Sequence, residues 1–216
     1  MKKPFPVGFA LGVAALAAAL IGILVYAVVN QGIGDKSSLK YAQHQISDLH
    51  STSGLGRQHK EGVIAYPHQA STPPDGGNHN GVPESCQVYT EPIANEHAVH
   101  SLEHGAVWVT YDPAKLSKAD VDVLKKLVDG DPYRMLSPYP GLKSPISLQA
   151  WGEQLFVDKV SDTRIKRFLD LFTNGPQTKE PGSACQGTTA TGPMTTAAPT
   201  PGAGASTMPA SPTPKK

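Results

Sequence analysis

The stretch "VGFALGVAALAAALIGILVYAVV", from Val7 to Val29, contains no charged residue. At about 1.5 Å per residue, a helix of this length crosses a hydrocarbon core of about 30 Å. A cleaved signal peptide is the competing reading, but its apolar region covers about 7 to 15 residues and closes on small residues at a cleavage site. Here the small residues, Ala14 to Ala19, lie inside the run and Ile21 to Val29 continue it. The expectation is one uncleaved transmembrane helix, with residues 1–30 forming a short cytoplasmic end and the anchor. Lys2 and Lys3 before the run nearly balance Lys36 and Lys40 after it, so positive charge orients the span only through the terminal amine. The very short leading tail and the long chain that follows place residues 31–216 on the outer side of the cell membrane.

Beyond the span the composition changes twice. Residues 31–58 carry Gly, Ser, Gln and His with weak apolar periodicity at Leu39, Ile46 and Leu49, which reads as a juxtamembrane stalk with at most one short helix. Residues 187–216 hold eight Thr and six Pro and no Ile, Leu, Val or aromatic, so they cannot bury a core. That end reads as a disordered tail, open to O-glycosylation or to threading the cell wall. Residues 59–186 remain as one domain of ordinary size.

Within it, "AVWVTY" (Ala106–Tyr111) has the profile of a strand. "SKADVDVLKKLVDG" predicts a helix capped by Ser117, with Val121, Leu124, Leu127 and Val128 on one face and Gly130 after its end. "ISLQAWGEQLFVD" reads as two short strands about Gly152, and "SDTRIKRFLDLFTNG" as a helix capped by Ser161 or Asp162. The proline-rich joints "STPPDGG" and "SPYPG" read as shaped loops. The order predicts an α+β domain with a small mixed sheet and two or three helices.

The two cysteines, Cys86 and Cys185, stand near the edges of this domain. In an oxidising compartment the pair reads as one disulfide closing a loop of roughly 100 residues. Cys86 as a soft metal ligand near His79, and two free thiols, are the alternatives. The net charge of +1 supplies no basic stripe, which argues against nucleic acid as a partner.

The chain has eight histidines, and three of them fall in "HAVHSLEHG", residues 97 to 105. If Asn95 caps a short helix through His104, then His97, His100 and His104 share one face. Neutral imidazole is the commonest metal ligand, and a pair four residues apart on a helix can grip one ion. "HSLEH" also fits the inverted zinc-peptidase pattern, although Gly105 and the strand after it end the helix at the second histidine. The bland alternative is a buried hydrogen-bond network with Glu103 and backbone carbonyls. In "TPPDGGNHNG", Gly76 and Gly77 allow a tight approach that presents His79, the strongest outside partner for the cluster. His59 is a further candidate at the domain's start, whereas His44, His50 and His68 read as surface residues.

Five motifs then coincide: "PPDGGNH" (Pro73–His79), "HAVHSLEHGAV" (His97–Val107), "PYPGL" (Pro138–Leu142), "AWG" (Ala150–Gly152) and "EPGSAC" (Glu180–Cys185). Over residues 59 to 186 the chain resembles the extracytoplasmic domains of bacterial membrane-anchored proteins known only as a domain of unknown function. The pattern in that family often runs through a Trp into C-G-V-Y, where this chain reads "PESCQVY" with Gln87 in place of the glycine. The resemblance implies that His79, His100, Glu103 and His104 are signature residues, and it implies no activity.

The leading expectation is therefore a metal site for zinc or copper, with His79, His100 and His104 as ligands, Glu103 as a fourth ligand or orienting group, and His97 and His59 flanking. A structural or protein-interaction module of the cell envelope is the second reading, and a zinc hydrolase is the third. No catalytic residue is assigned.

Overall fold

The computed structural model describes residues 19–21 and 38–194. The anchor expected at Val7–Val29 lies outside the described residues except for 19–21, which are helical. Among the described residues no helix is long and apolar enough to cross a membrane.

Residues 38–194 form an α+β unit. In chain order it contains α1 (Leu39–His44), β1 (His50–Ser51), α2 (Asn95–Glu103), β2 (Val107–Tyr111), α3 (Lys118–Val128), β3 (Arg134–Pro138), β4 (Ile146–Ala150), β5 (Glu153–Val157) and α4 (Thr163–Phe172). The sheet order is β1-β5-β4-β2-β3. β2 and β3 run parallel across the α3 crossover, and the other pairs are antiparallel.

Strand alternation divides the interior in two. Val107, Val109, Ile146, Leu148, Leu155 and Val157 face one way and bury against α1, α3 and α4. Trp108 and Met135 face the other way, toward α2 and the loops that carry Tyr66, Tyr89, Tyr139 and Trp151. Both outer helices begin as their sequences predict: Ser117 accepts from Asp120 N at the start of α3, and Asp162 accepts from Arg164 N at the start of α4. Leu124 and Val128 are buried on α3, and Ile165, Phe168, Leu169 and Phe172 on α4.

Three features differ from the sequence reading. "RMLSP" is a strand, β3, although its Pro138 and polar ends hid it; it lies at the sheet edge, where proline is tolerated. Residues 38–51, read as stalk, pack on the sheet: Ala42 and Ile46 are buried in the first cluster, and β1 pairs with β5. At the other end, Thr188 bridges to Glu84 and Thr191 to Ile93, so the tail expected from residue 187 is docked through these positions. Residues 195–216 lie outside the described part.

The turn between β4 and β5 fixes the loop that carries His79. Gly152 N donates to Asp75 O at 2.6 Å, and Thr52 N donates to Gly152 O at 2.8 Å. Gly152 has φ +72°, and a Cβ there would stand 2.7 Å from Thr52 O. Gly152→Ala is therefore expected to cost about 1 to 3 kcal/mol. Chemical denaturation checks this, and an unchanged midpoint would contradict the turn's role.

Candidate metal centre

The helix α2 lies against the second face of the sheet, with Ala98, Val99 and Leu102 fully buried. Its N-cap is Ala94 and not Asn95; Asn95 takes the first helical place and directs its amide toward the Tyr139 hydroxyl at 3.5 Å. His104 is the C-cap, and Gly105, at φ +101°, turns the chain into β2. The helix thus ends within the histidine motif, because Gly105 and the β-branched run after it do not continue the helical pattern.

The loop with His79 is pinned from two sides. His79 N donates to Gln58 O at 3.2 Å, Lys60 N donates to His79 O at 2.8 Å, and Asn80 N donates to Glu96 O on α2 at 3.1 Å. A Cβ at Gly76 would meet Leu55 Cδ1 at 2.7 Å and the Trp151 ring at 3.4 Å, so only glycine lets this loop settle there. The Trp151 ring stands edge-on to His79 at 5.8 Å.

These constraints gather His59, His79, His100 and Glu103, whose ligand atoms all lie within 4.8 Å of one another. His79 is 0% exposed, Glu103 1% and His100 4%. His59, from the surface, stacks on His100 at 4.8 Å. His104 stands behind His100, with Nε2 atoms 3.0 Å apart, and reaches Glu180 Oε2 at 3.4 Å. The four-atom group therefore contains His59 in the place that the sequence reading gives to His104. His97 is directed elsewhere, with its Nδ1 2.6 Å from Val82 O.

The tautomers follow from the partners. Nδ1 of His79 meets Gly77 O at 2.8 Å, Nδ1 of His100 meets Asn80 O at 2.6 Å, and Nδ1 of His104 meets Ala184 O at 2.8 Å. A carbonyl can only accept, so each Nδ1 carries the hydrogen, and in a neutral ring Nε2 is a bare lone pair. His100 is neutral at pH 7: burial, opposed by its bond to Asn80 and assisted by the nearby His104, His79 and His59, brings it down to about 4.

The arrangement leaves acceptors facing acceptors. His79 Nε2 is buried without a hydrogen-bond partner, yet it lies 2.9 Å from Glu103 Oε2. Arg57 holds the other oxygen, Glu103 Oε1, and reaches Glu180 Oε1 at 3.4 Å. Two atoms that close, without hydrogen-bond geometry between them, are what converging ligands of a common cation present. The donor set of imidazoles and a carboxylate, with Nδ1–H groups oriented by carbonyls, could hold a metal ion.

Sequence reasoning missed Arg57, Trp151 and Glu180 as members of this site. Trp151 and Glu180 lie in the "AWG" and "EPGSAC" motifs, but Arg57 had no signal because it fell in the segment read as stalk. Cys86 is not available as a ligand, since it is joined to Cys185 across 99 residues of sequence. Below α2, Glu84 is 0% exposed and both of its carboxylate oxygens lack partners. Burial, partly opposed by the nearby Tyr89 hydroxyl, which itself donates to Ser85 O, pushes its carboxyl up to about 7.

No curated protein and no solved structure matches the chain. A family model does match residues 58–187, more than half of the chain, and the chain belongs to that family, described as a protein of unknown function (DUF3105).

Proposed function

We propose that this chain binds one transition-metal ion, zinc or copper, on an extracytoplasmic domain of residues 59–186 held to the cell membrane by the Val7–Val29 helix. The observation that carries the metal reading is the buried His79 Nε2, unpartnered and 2.9 Å from Glu103 Oε2. His79, His100 and Glu103 would hold the ion, and His59 would close the set from the surface. The bound ion would supply a positive centre that satisfies three lone pairs which the fold otherwise leaves opposed. Arg57 and the backbone carbonyls keep the carboxylate and the rings in place. His104, beside His100, adjoins the ligand set. The anchor, the outward orientation and an association of the 187–216 tail with the cell wall rest on sequence composition.

The alternative is a structural hydrogen-bond network in a cell-envelope module. In it, polar contacts take the place of the metal, between His79 and Glu103, between His100 and His104 and between His104 and Glu180. The 3.4 Å approach of His104 to Glu180 favours it. Hydrolysis has less support: Arg57 holds Glu103 Oε1, and Oε2 faces His79 Nε2 as a ligand of the same centre, so the carboxylate is placed to bind the ion and not to polarise water.

The test equilibrates the full-length protein with zinc and copper, removes free ions by desalting and measures what stays bound. One ion per chain is expected for the native protein, and binding about 100-fold weaker for His79→Ala and for His100→Ala. His104→Ala should retain the ion. A native protein that leaves the column without metal would support the hydrogen-bond network instead.

A further inference from the structure

At the α2 N-terminus lies a cavity of about 300 Å³ whose lining includes none of the clustered histidines. Its walls are apolar, from Val63, Pro92, Ile93, Pro140 and Met194, and Glu96 lies in the lining. Glu96 is 4% exposed. One of its oxygens, Oε1, accepts from Ile64 N at 2.9 Å. The other has no hydrogen-bond partner, and no Lys, Arg or His pairs with the carboxylate, among the described residues. After burial, Glu96 is a further cause that raises the hydroxyls of Tyr66 and Tyr139, with a hydrogen bond from Asn95 opposing at Tyr139.

The free oxygen of Glu96 is open to a positively charged partner within an otherwise apolar wall. Asn95, Gln69 and Tyr139 add polar groups to the same lining, while the rest of the wall offers only carbon. The first described residues of the tail help to build it: Thr191 bridges to Ile93, and Gly192 N donates to Pro92 O at 2.7 Å. A neutral apolar guest would leave the free oxygen of Glu96 unpaired, and an anion would be repelled by it. A cation without a carbon stem would leave the apolar wall uncovered. The volume falls at the small end of ligand pockets.

We propose that this cavity is a binding site for a small primary alkylammonium ion, its N–H groups donating to the free oxygen of Glu96 and its stem lying against Ile93, Pro140 and Met194. The site is separate from the histidine centre and does not depend on a metal there.

The probe is n-butylammonium, titrated into full-length protein carrying ¹³C-labelled Ile and Met methyl groups, with n-butanol and butyrate as matched controls. Saturable shifts at Ile93 and Met194 are expected for the ammonium, with binding about tenfold weaker for the alcohol and none for the carboxylate. Glu96→Gln keeps an acceptor for Ile64 N and removes the charge, so it should weaken butylammonium about tenfold while metal content and thermal midpoint stay as in the native protein. Equal binding of butanol and butylammonium, or no saturable shift with the ammonium, would overturn the proposal on the native protein alone, whether or not the variant folds. Unchanged ammonium affinity in a folded Glu96→Gln would overturn it as well.

Discussion

Replacing Cys86 and Cys185 together by serine is expected to destabilise the domain by about 4 to 5 kcal/mol, the largest single loss this structure predicts. The disulfide closes a loop of 99 residues, and the chain-entropy relation for a loop of that size gives about 4.7 kcal/mol from the restricted unfolded chain. The folded state contributes as well. Cys185 is 4% exposed, and Cys86 N donates to Cys185 O at 3.1 Å, so the bridge fastens the closing segment where Ala184 O receives His104 Nδ1 at 2.8 Å. Urea denaturation of native, reduced and doubly substituted protein measures the effect. Reduced and substituted protein should fall together, and a loss below about 1 kcal/mol would show that the reduced chain already restricts itself.

A second large effect belongs to Glu84. Its carboxyl is raised from 4.5 to about 7 by burial. Between those two values the folded protein keeps a proton that the unfolded chain has released. Stability contributed by the protonated group is therefore complete below about pH 4.5, falls as pH rises, and is lost above about 7. The difference corresponds to about 3 kcal/mol. Glu84→Gln removes this titration. Relative to the native protein, the variant should gain about 3 kcal/mol between pH 4.5 and 8. Denaturation at the two pH values decides it, and a pH-independent difference would mean that the Glu84 carboxylate is already compensated when ionised.

Elements that carry their own periodic pattern were legible without the structure. The α3 helix has its serine cap, its spaced leucines and its glycine stop within one stretch, and the β4–β5 hairpin shows β-branched and aromatic residues on both sides of Gly152. β1 and β3 were not legible, because a strand of two polar residues and an edge strand ending in proline acquire their structure from their neighbours. Residues 38–51 misled for a related reason. Ala42 is a core residue at 1% exposure, but its small side chain adds little to an apolar pattern, so the segment looked like a linker.

At the site, the spacing of His100 and His104 marked the helix, and two glycines marked the loop that delivers His79. The spacing could not show which nitrogens converge. That depends on backbone carbonyls contributed by Gly77, Asn80 and Ala184, which turn the Nε2 atoms of His79 and His100 toward Glu103 and place His104 one layer behind. His59 joins through a parallel bridge to His79 that only the folded loop creates. The family match over residues 58–187 begins one residue after Arg57, the arginine that holds Glu103.

The central claim is that the opposed lone pairs of His79, His100 and Glu103 surround a metal ion and do not belong to a network of polar contacts alone. X-ray absorption on the full-length protein loaded with one equivalent of zinc tests it most directly. The account predicts a first shell of nitrogen and oxygen at about 2.0 to 2.2 Å, no sulfur, and the outer-shell scattering of at least two imidazoles, with one imidazole contribution lost in His79→Ala. A shell of water oxygens without imidazole scattering, identical in the native protein and the variant, would contradict it.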